Sequence, residues 1–421
     1  MELLQQVRVI DPNEGIDRLA DVLIIDGKIA AIAENLTDYP QDAEILRGDN
    51  LILGTGLVDL YSHSGEPGNE ARETLLTLAE AAAAGGFTQV AILPDTIPQI
   101  NNADVLASMR QKSNYLNTKN IQLPQLHFWG AASHGAATKQ MNELAELKLG
   151  VVGFSDEYNL SNLSLLKQVL EYVKPWQKPV AIALSKNELT GNGVVREGIV
   201  SLRYGMPGNP AVAEAAIIAA VLEIVAAINT PVHIMGISTA RGVELIANAK
   251  QRGVPITAST TWMHLLFDSE ENGSYDPNLR LEPPLGDKND TKALIAGAKQ
   301  GIIDAIAINH QAYSYEEKTV PFALTPPGVI GLELALPLLW QRFVSSGEWT
   351  ALELWQALSS RPRQCLQQRP VTIAAGQIAD LVLFGPQQVW LADQHNLKTT
   401  ATNTPWWNQE ITGRAVRIWR C

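Results

Sequence analysis

Cysteine is nearly absent from this chain: among 421 residues only Cys365 and Cys421 occur. Two such residues provide no disulfide framework and no Cys-x-x-Cys metal or redox signature. Positive charge is also in deficit, with 32 Lys and Arg against 44 Asp and Glu and a formal net charge of −12. That balance argues against a nucleic-acid-binding surface or attraction to an anionic membrane, and leaves small molecules or proteins as partners. Uninterrupted apolar runs of membrane-spanning length are missing. The opening residues MELLQQVRVIDPNEG carry no charged leader with an apolar core behind it, so a cytoplasmic location is the expectation.

What is present is an ordinary globular composition, 46% hydrophobic and 18% charged, able to bury a large core. The length suits a barrel of about 250 residues plus something smaller. From Leu3 to Leu53 short strands alternate with turns, and Asp26-Gly27 between two apolar runs is a strong type I′ hairpin signal. The stretches GQIADLVLFGPQQVWLA and TGRAVRIWR read the same way near the other end. Between about 55 and 360, apolar strands alternate with helical patterns, as in a parallel βα architecture. Alternation alone fits a closed barrel or an open doubly wound sheet equally.

The run Leu57-Val58-Asp59-Leu60 leads into polar residues around His63 and then a Glu66-Pro67-Gly68 turn, which reads as a buried strand ending in a loop. In a (β/α)₈ barrel such loops carry the chemistry, and a histidine there is a candidate metal ligand. A hydrogen-bonding core histidine is the plainer reading.

This stretch, continued through Glu73, Ala82 and Gly85-Gly86-Phe87-Thr88, resembles the first strand, loop and helix of the dihydroorotases in the amidohydrolase superfamily. Their pattern is Pro-Gly-x-x-Asp-x-His-x-His-x-Arg-Glu-Pro-Gly, with two metal-binding histidines and a substrate-binding arginine. Here Tyr61 stands at the first histidine, His63 keeps the second and Gly65 replaces the arginine. Phe154-Ser155-Asp156-Glu157 matches the motif whose aspartate bridges two metals, so the resemblance makes Asp156 a second retained ligand candidate; a helix cap near Leu160 is its plainer role. Ala183, in the stretch through Ser185, Lys186, Asn187 and Glu188, occupies a metal-histidine position. In His233-Ile234-Met235-Gly236 the ligand position is Gly236, and His233 reads as a packed or hydrogen-bonded residue. Asn309 replaces the aspartate that serves as ligand and general base. Asp95 and Glu282 replace substrate-contacting asparagines, while His310 and Tyr313 fall in the last catalytic motif, Tyr313 in place of a substrate-reaching histidine.

The resemblance implies a (β/α)₈ TIM-like barrel over 55–362 with a small β-sandwich built from 1–54 and 363–421. Segments such as Pro326-Pro327-Gly328, Leu336-Pro337-Leu338 and Asn403-Thr404-Pro405-Trp406 keep the family's scaffold pattern. The chemistry does not follow, because zinc in a catalytic site takes three protein ligands plus water and a neutral Asn309 cannot take a proton. No catalytic residue is assigned and no cofactor is expected, zinc being the metal if the site still functions. Gly65, Asp95, Glu282, His310 and Tyr313 are expected around the pocket. Inactive dihydroorotase-like chains assemble with aspartate transcarbamoylase, which makes that enzyme the implied partner and a homodimer the implied assembly. Two alternatives stand beside this: a dihydroorotase or other cyclic amidohydrolase with a site rebuilt from groups such as His63, Asp156, Glu157, Lys186 and His310, or a ligand-sensing barrel.

Overall fold

The computed structural model describes residues 1–118, 122–134, 140–158, 162–184 and 189–420. Eight parallel strands follow one another around the centre: Leu57–Ser62, Phe87–Ile92, Gln125–Ala131, Gly153–Tyr158, Val180–Leu184, Val232–Ile234, Ile256–Thr261 and Ala305–Ala307. Their runs are apolar on both faces because helices cover the outside and side chains fill the inside. The first and last strands meet through the backbone. Asn309 N donates to Tyr61 O at 3.1 Å and His63 N to His310 O at 2.9 Å, so the sheet closes as a barrel and the open doubly wound alternative falls.

A buried carboxylate holds this closure. Asp59 Oδ1 accepts from Ile308 N at 2.8 Å, and Oδ2 accepts from Ser62 Oγ at 2.5 Å. Ser62 Oγ in turn accepts from His310 N at 3.1 Å. Burial, only partly offset by these donors, raises the Asp59 pKa to about 6.

Inside the barrel Val58, Leu60, Ala91, Trp129, Ala181 and Met235 form one cluster, joined by Cys365 and Leu366. Trp129 Nε1 donates to Leu60 O, which satisfies the one polar atom of a fully buried indole. The helix Arg361–Cys365 closes the N-terminal end, with Arg363 donating to Gly56 O at 3.2 Å. Outside, the helix Ala211–Ile228 is long and apolar enough to cross a membrane by length and composition. Here it packs Ile217, Ile218, Val221 and Val225 into the barrel's outer core and buries Glu214 in its first turn.

Both ends of the chain build one seven-stranded sheet beside the barrel, in the order Glu410–Trp419, Leu381–Leu391, Ile52–Thr55, Glu2–Asp11, Ile16–Ile25, Lys28–Ala33. Glu44–Arg47 is the seventh strand. Gln6, at φ +53°, sits in a bulge between Leu4 and Val7. The strand therefore pairs with Glu44–Arg47 before the bulge and with Ile52–Thr55 after it. Bending there encloses a second core of Leu4, Val7, Val22, Leu53, Leu381 and Trp419. The hairpin signal is met: Asp26 and Gly27 have φ of +48° and +71°.

The C-terminal segment also serves the barrel. Between its two strands the chain returns to the barrel loops, where Asn403 Oδ1 accepts from Tyr313 N at 3.1 Å and Asn403 Nδ2 donates to Gln311 O at 2.9 Å.

Replacing Asp59 with alanine leaves the Ile308 N–H without its acceptor inside the wall, and each orphaned buried group costs about 1–3 kcal/mol. Asp59→Ala is expected to lower unfolding free energy in urea by about 2 kcal/mol, and Asp59→Asn, which keeps a carbonyl acceptor, by less. Equal losses would show that the acceptor is not what matters.

Candidate functional site

Beyond the C-terminal ends of the barrel strands lies a cavity of about 680 Å³, with Tyr61, His63, Asp95, Glu157, Arg196 and Glu282 in its lining. Ala183, Gly236 and Asn309 line it as well. Gly65, Asp156, His310 and Tyr313 are not part of its lining, and Ser185, Lys186, Asn187, Glu188 and Leu160 lie outside the described residues.

His63 projects from the end of the first strand. Its Nδ1 lies 2.5 Å from Asp95 Oδ2, and the Asn309 side chain hydrogen-bonds the ring too. Burial opposes the imidazolium, but attraction and hydrogen bonding to Asp95 and the bond to Asn309 prevail and hold the His63 pKa above its usual value. The same attraction outweighs burial at Asp95 and holds that carboxyl low. Beside it Glu157 reaches the mouth with an exposed side chain, while the protein around it and the neighbouring Asp156 push its carboxyl pKa up.

Two positions where the resemblance expects metal ligands bond to each other here. Tyr61 Oη accepts from Gly236 N at 3.1 Å and hydrogen-bonds Ser259 Oγ at 2.9 Å. Gly236 has φ +66°, a conformation that favours glycine. Ser259 Oγ also meets His233 Nε2 at 2.9 Å, and His233 Nδ1 meets Thr257 Oγ1 at 2.8 Å. Burial, with Lys250 adding to it, lowers the His233 pKa to about 3, so the ring is a neutral link in a chain of hydroxyls. Burial also keeps the Tyr61 phenol protonated by pushing its pKa up.

Four expected site residues are placed elsewhere, each for a physical reason. His310 is 1% exposed: its Nδ1 accepts from Gly331 N and Leu332 N, which puts the proton on Nε2, 3.0 Å from Glu73 Oε2. Glu73 is itself fully buried and accepts from Thr399 Oγ1 at 2.5 Å, so His310 ties the barrel to the C-terminal segment. Tyr313 is buried with Arg72 and Lys318 over its ring at 4.9 and 5.1 Å. Gly65 lies in a tight loop where Asn69 N donates to Gly65 O at 2.6 Å, and a Cβ there would meet Glu73 O at 2.4 Å; an arginine does not fit. Asp156 accepts from Glu157 N at 2.8 Å through Oδ1 and hydrogen-bonds Ser133, and burial raises its pKa in spite of these bonds.

The sequence reading passed over Arg196 and His264. Arg196 is 4% exposed and donates to Ser238 Oγ at 2.6 Å and Pro284 O at 3.3 Å. Ser238 leads on to Glu214, whose two oxygens also accept from Ser238 N and from Thr239 N and Oγ1. His264 follows the strand Ile256–Thr261 by three residues. Its Nε2 donates to Pro283 O at 3.1 Å, leaving Nδ1 to accept from Thr261 Oγ1, and burial with Arg196 nearby lowers its pKa to about 4. A histidine just past a barrel strand was a usable signal; a lone arginine was not.

The zinc implied by the resemblance does not fit. Among the described residues no group of three or more His, Cys, Asp or Glu side chains is gathered to hold an ion. Of the six ligand positions, a methyl, a glycine, an amide and a phenol bonded to Gly236 supply none of the usual zinc donors, which leaves His63, paired with Asp95, and Asp156 where a catalytic zinc takes three protein ligands.

His63 titration should be visible by NMR of the imidazole nitrogens, with a pKa above the usual value of about 6.5 that drops in Asp95→Asn. The sign follows: the pair's contribution to stability is complete below the unfolded pKa and is lost as pH rises through the raised folded one. With Asp95 half exposed, that contribution is below about 1 kcal/mol. A His63 pKa unmoved by Asp95→Asn would remove the pair from the account.

Comparison with known proteins agrees with the barrel and its loops. The model of a family described as "Dihydro-orotase-like" matches residues 50–241. A "Probable dihydroorotase-like protein" from Synechocystis sp. is 44% identical over 98% of both chains, and a "Dihydroorotase" from Pelobacter propionicus is 35% identical over 98% of this chain and 96% of its own. Among solved structures, an L-hydantoinase (dihydropyrimidinase) from Arthrobacter aurescens superimposes with a TM-score of 0.83 at 18% identity, covering 98% of this chain and 93% of that one. With relatives of this identity matched end to end, the chain belongs to the dihydroorotase-like family of the amidohydrolase fold.

Proposed function

We propose that this chain is a dihydroorotase-like protein of pyrimidine biosynthesis that has given up metal-dependent hydrolysis of cyclic amides and serves as a structural or regulatory partner of aspartate transcarbamoylase. The observation that carries the first half is the hydrogen bond from Gly236 N to Tyr61 Oη at 3.1 Å. Hydrolysis of a cyclic amide at neutral pH draws on a metal that activates water and polarises the carbonyl, and on a base within reach of the proton. In this cavity two ligand positions are spent on each other, and Asn309 offers an amide where a base would stand. Against the substrate, Gly65 supplies no cation and the mouth adds Asp95, Glu157 and Glu282.

The partner half rests on the family resemblance together with the retained scaffold. Closure of the barrel by Asp59, the His310–Glu73 pair and the seven-stranded sheet keep a full outer surface available for assembly after the chemistry has gone. A second reading, metal-free acid–base chemistry, is favoured by the His63–Asp95 pair and the raised Glu157 carboxyl in one cavity. It predicts turnover of hydantoins, allantoin or dihydropyrimidines by metal-free protein.

Protein purified without chelators should contain far less than one zinc per chain by elemental analysis, show no turnover of dihydroorotate, and co-purify with aspartate transcarbamoylase of the same organism. Stoichiometric metal with turnover would overturn the inactive reading. Failure to bind or stabilise that enzyme would overturn the partnership.

A further inference from the structure

The cavity has a buried cation at one place and a carboxylate rim at another, and neither is fully matched by protein groups. Arg196 is 4% exposed and lines the cavity. Its Nη2 donates to Ser238 Oγ and Pro284 O, and its Nη1, which carries two N–H groups, makes one long bond to Asn209 O at 3.4 Å; its enclosed Nε has no acceptor among the described residues. A guanidinium presents five N–H donors in a fixed plane, and a buried donor left unmet costs on the order of 1–3 kcal/mol. Glu214 cannot serve it directly, because both its oxygens are taken by Ser238 and Thr239. His264 is neutral and adds no second cation.

At the mouth Asp95, Glu157 and Glu282 all face the cavity. Asp95 is paired with His63, and Glu282 with Arg280 at 3.3 Å. Glu157 has no ion-pair partner among the described residues, and its carboxylate is exposed.

We propose that the cavity binds, without turnover, a small zwitterion whose carboxylate meets Arg196 and whose ammonium meets Glu157 within the Asp95–Glu282 rim. A simple anion would satisfy Arg196 but leave the Glu157 carboxylate unmatched beside the Asp95 and Glu282 pairs. A simple cation would suit Glu157 and leave the Arg196 guanidinium without a carboxylate. A molecule carrying both charges satisfies each end, and about 680 Å³ lies within the usual range for pockets that enclose small organic ligands. The inference rests on the reading that no divalent ion sits at the mouth, because such an ion would cancel the rim's charge.

The test is calorimetric titration of the full chain, with metal content measured on the same sample, using γ-aminobutyrate, δ-aminovalerate and ε-aminocaproate against valerate and pentylamine. At least one ω-amino acid should bind about tenfold or more tightly than either single-charge analogue, since a charge-assisted hydrogen bond contributes on that scale. Glu157→Gln, at an exposed position, should remove most of the advantage over valerate, and Arg196→Gln most of the advantage over pentylamine. Equal affinity for all the probes, or an unchanged profile in folded Glu157→Gln, overturns the proposal. If the sample is metal-free when that happens, only this inference falls; stoichiometric metal would take the inactive reading with it.

Discussion

Closure of the barrel between its first and last strands is the constraint on which the rest depends. The strand ending at Ser62 supplies, within seven residues, the acceptor that orders Ile308, the hydroxyl that orders His310 N, and the two side chains, Tyr61 and His63, that shape the cavity. A buried carboxylate with a pKa near 6 is a costly group to place in a wall. Its retention makes sense because parallel strands so far apart in sequence need a specific acceptor to fix their register.

Around that seam several positions where the dihydroorotase pattern has metal ligands carry residues bonded into the scaffold in this chain. Tyr61, Gly236, Ser259, His233 and Thr257 form a continuous chain of hydrogen bonds through the barrel, a neutral network in place of a charged centre. Such substitution fits the energetics of a buried site, since leaving several imidazoles and carboxylates without a metal would strand charges in a low-dielectric interior. At the cavity, charge stands where water reaches, at His63, Asp95 and Glu157, or where a relay compensates it, as Ser238 does between Arg196 and Glu214.

The architecture was legible in the sequence because apolar strand runs, the Asp26-Gly27 turn and the motif frame each carry local signals. Which motif residues face the cavity was less so. His310 and Tyr313 sit beside Asn309 in the chain, yet of the three only Asn309 lines the pocket; His310 is drawn away by Glu73, 237 residues before it, and Tyr313 by Asn403 and Arg72, partners that no short window reveals. Arg196 was invisible for a related reason: its significance lies in an Nε without an acceptor, a property of the packed molecule and not of the string.

The strand order of the terminal sheet bears on how the chain is made. Ile52–Thr55 emerges early, with Glu2–Asp11 on one side, but its other neighbour, Leu381–Leu391, is among the last segments to leave the ribosome. For most of synthesis an apolar strand edge stands open, the kind of surface that pairs with the wrong chain. Arrival of Leu381–Leu391 seals it, and the residues that follow carry Thr399 and Asn403 to the barrel loops, so that sheet and barrel are closed by one segment.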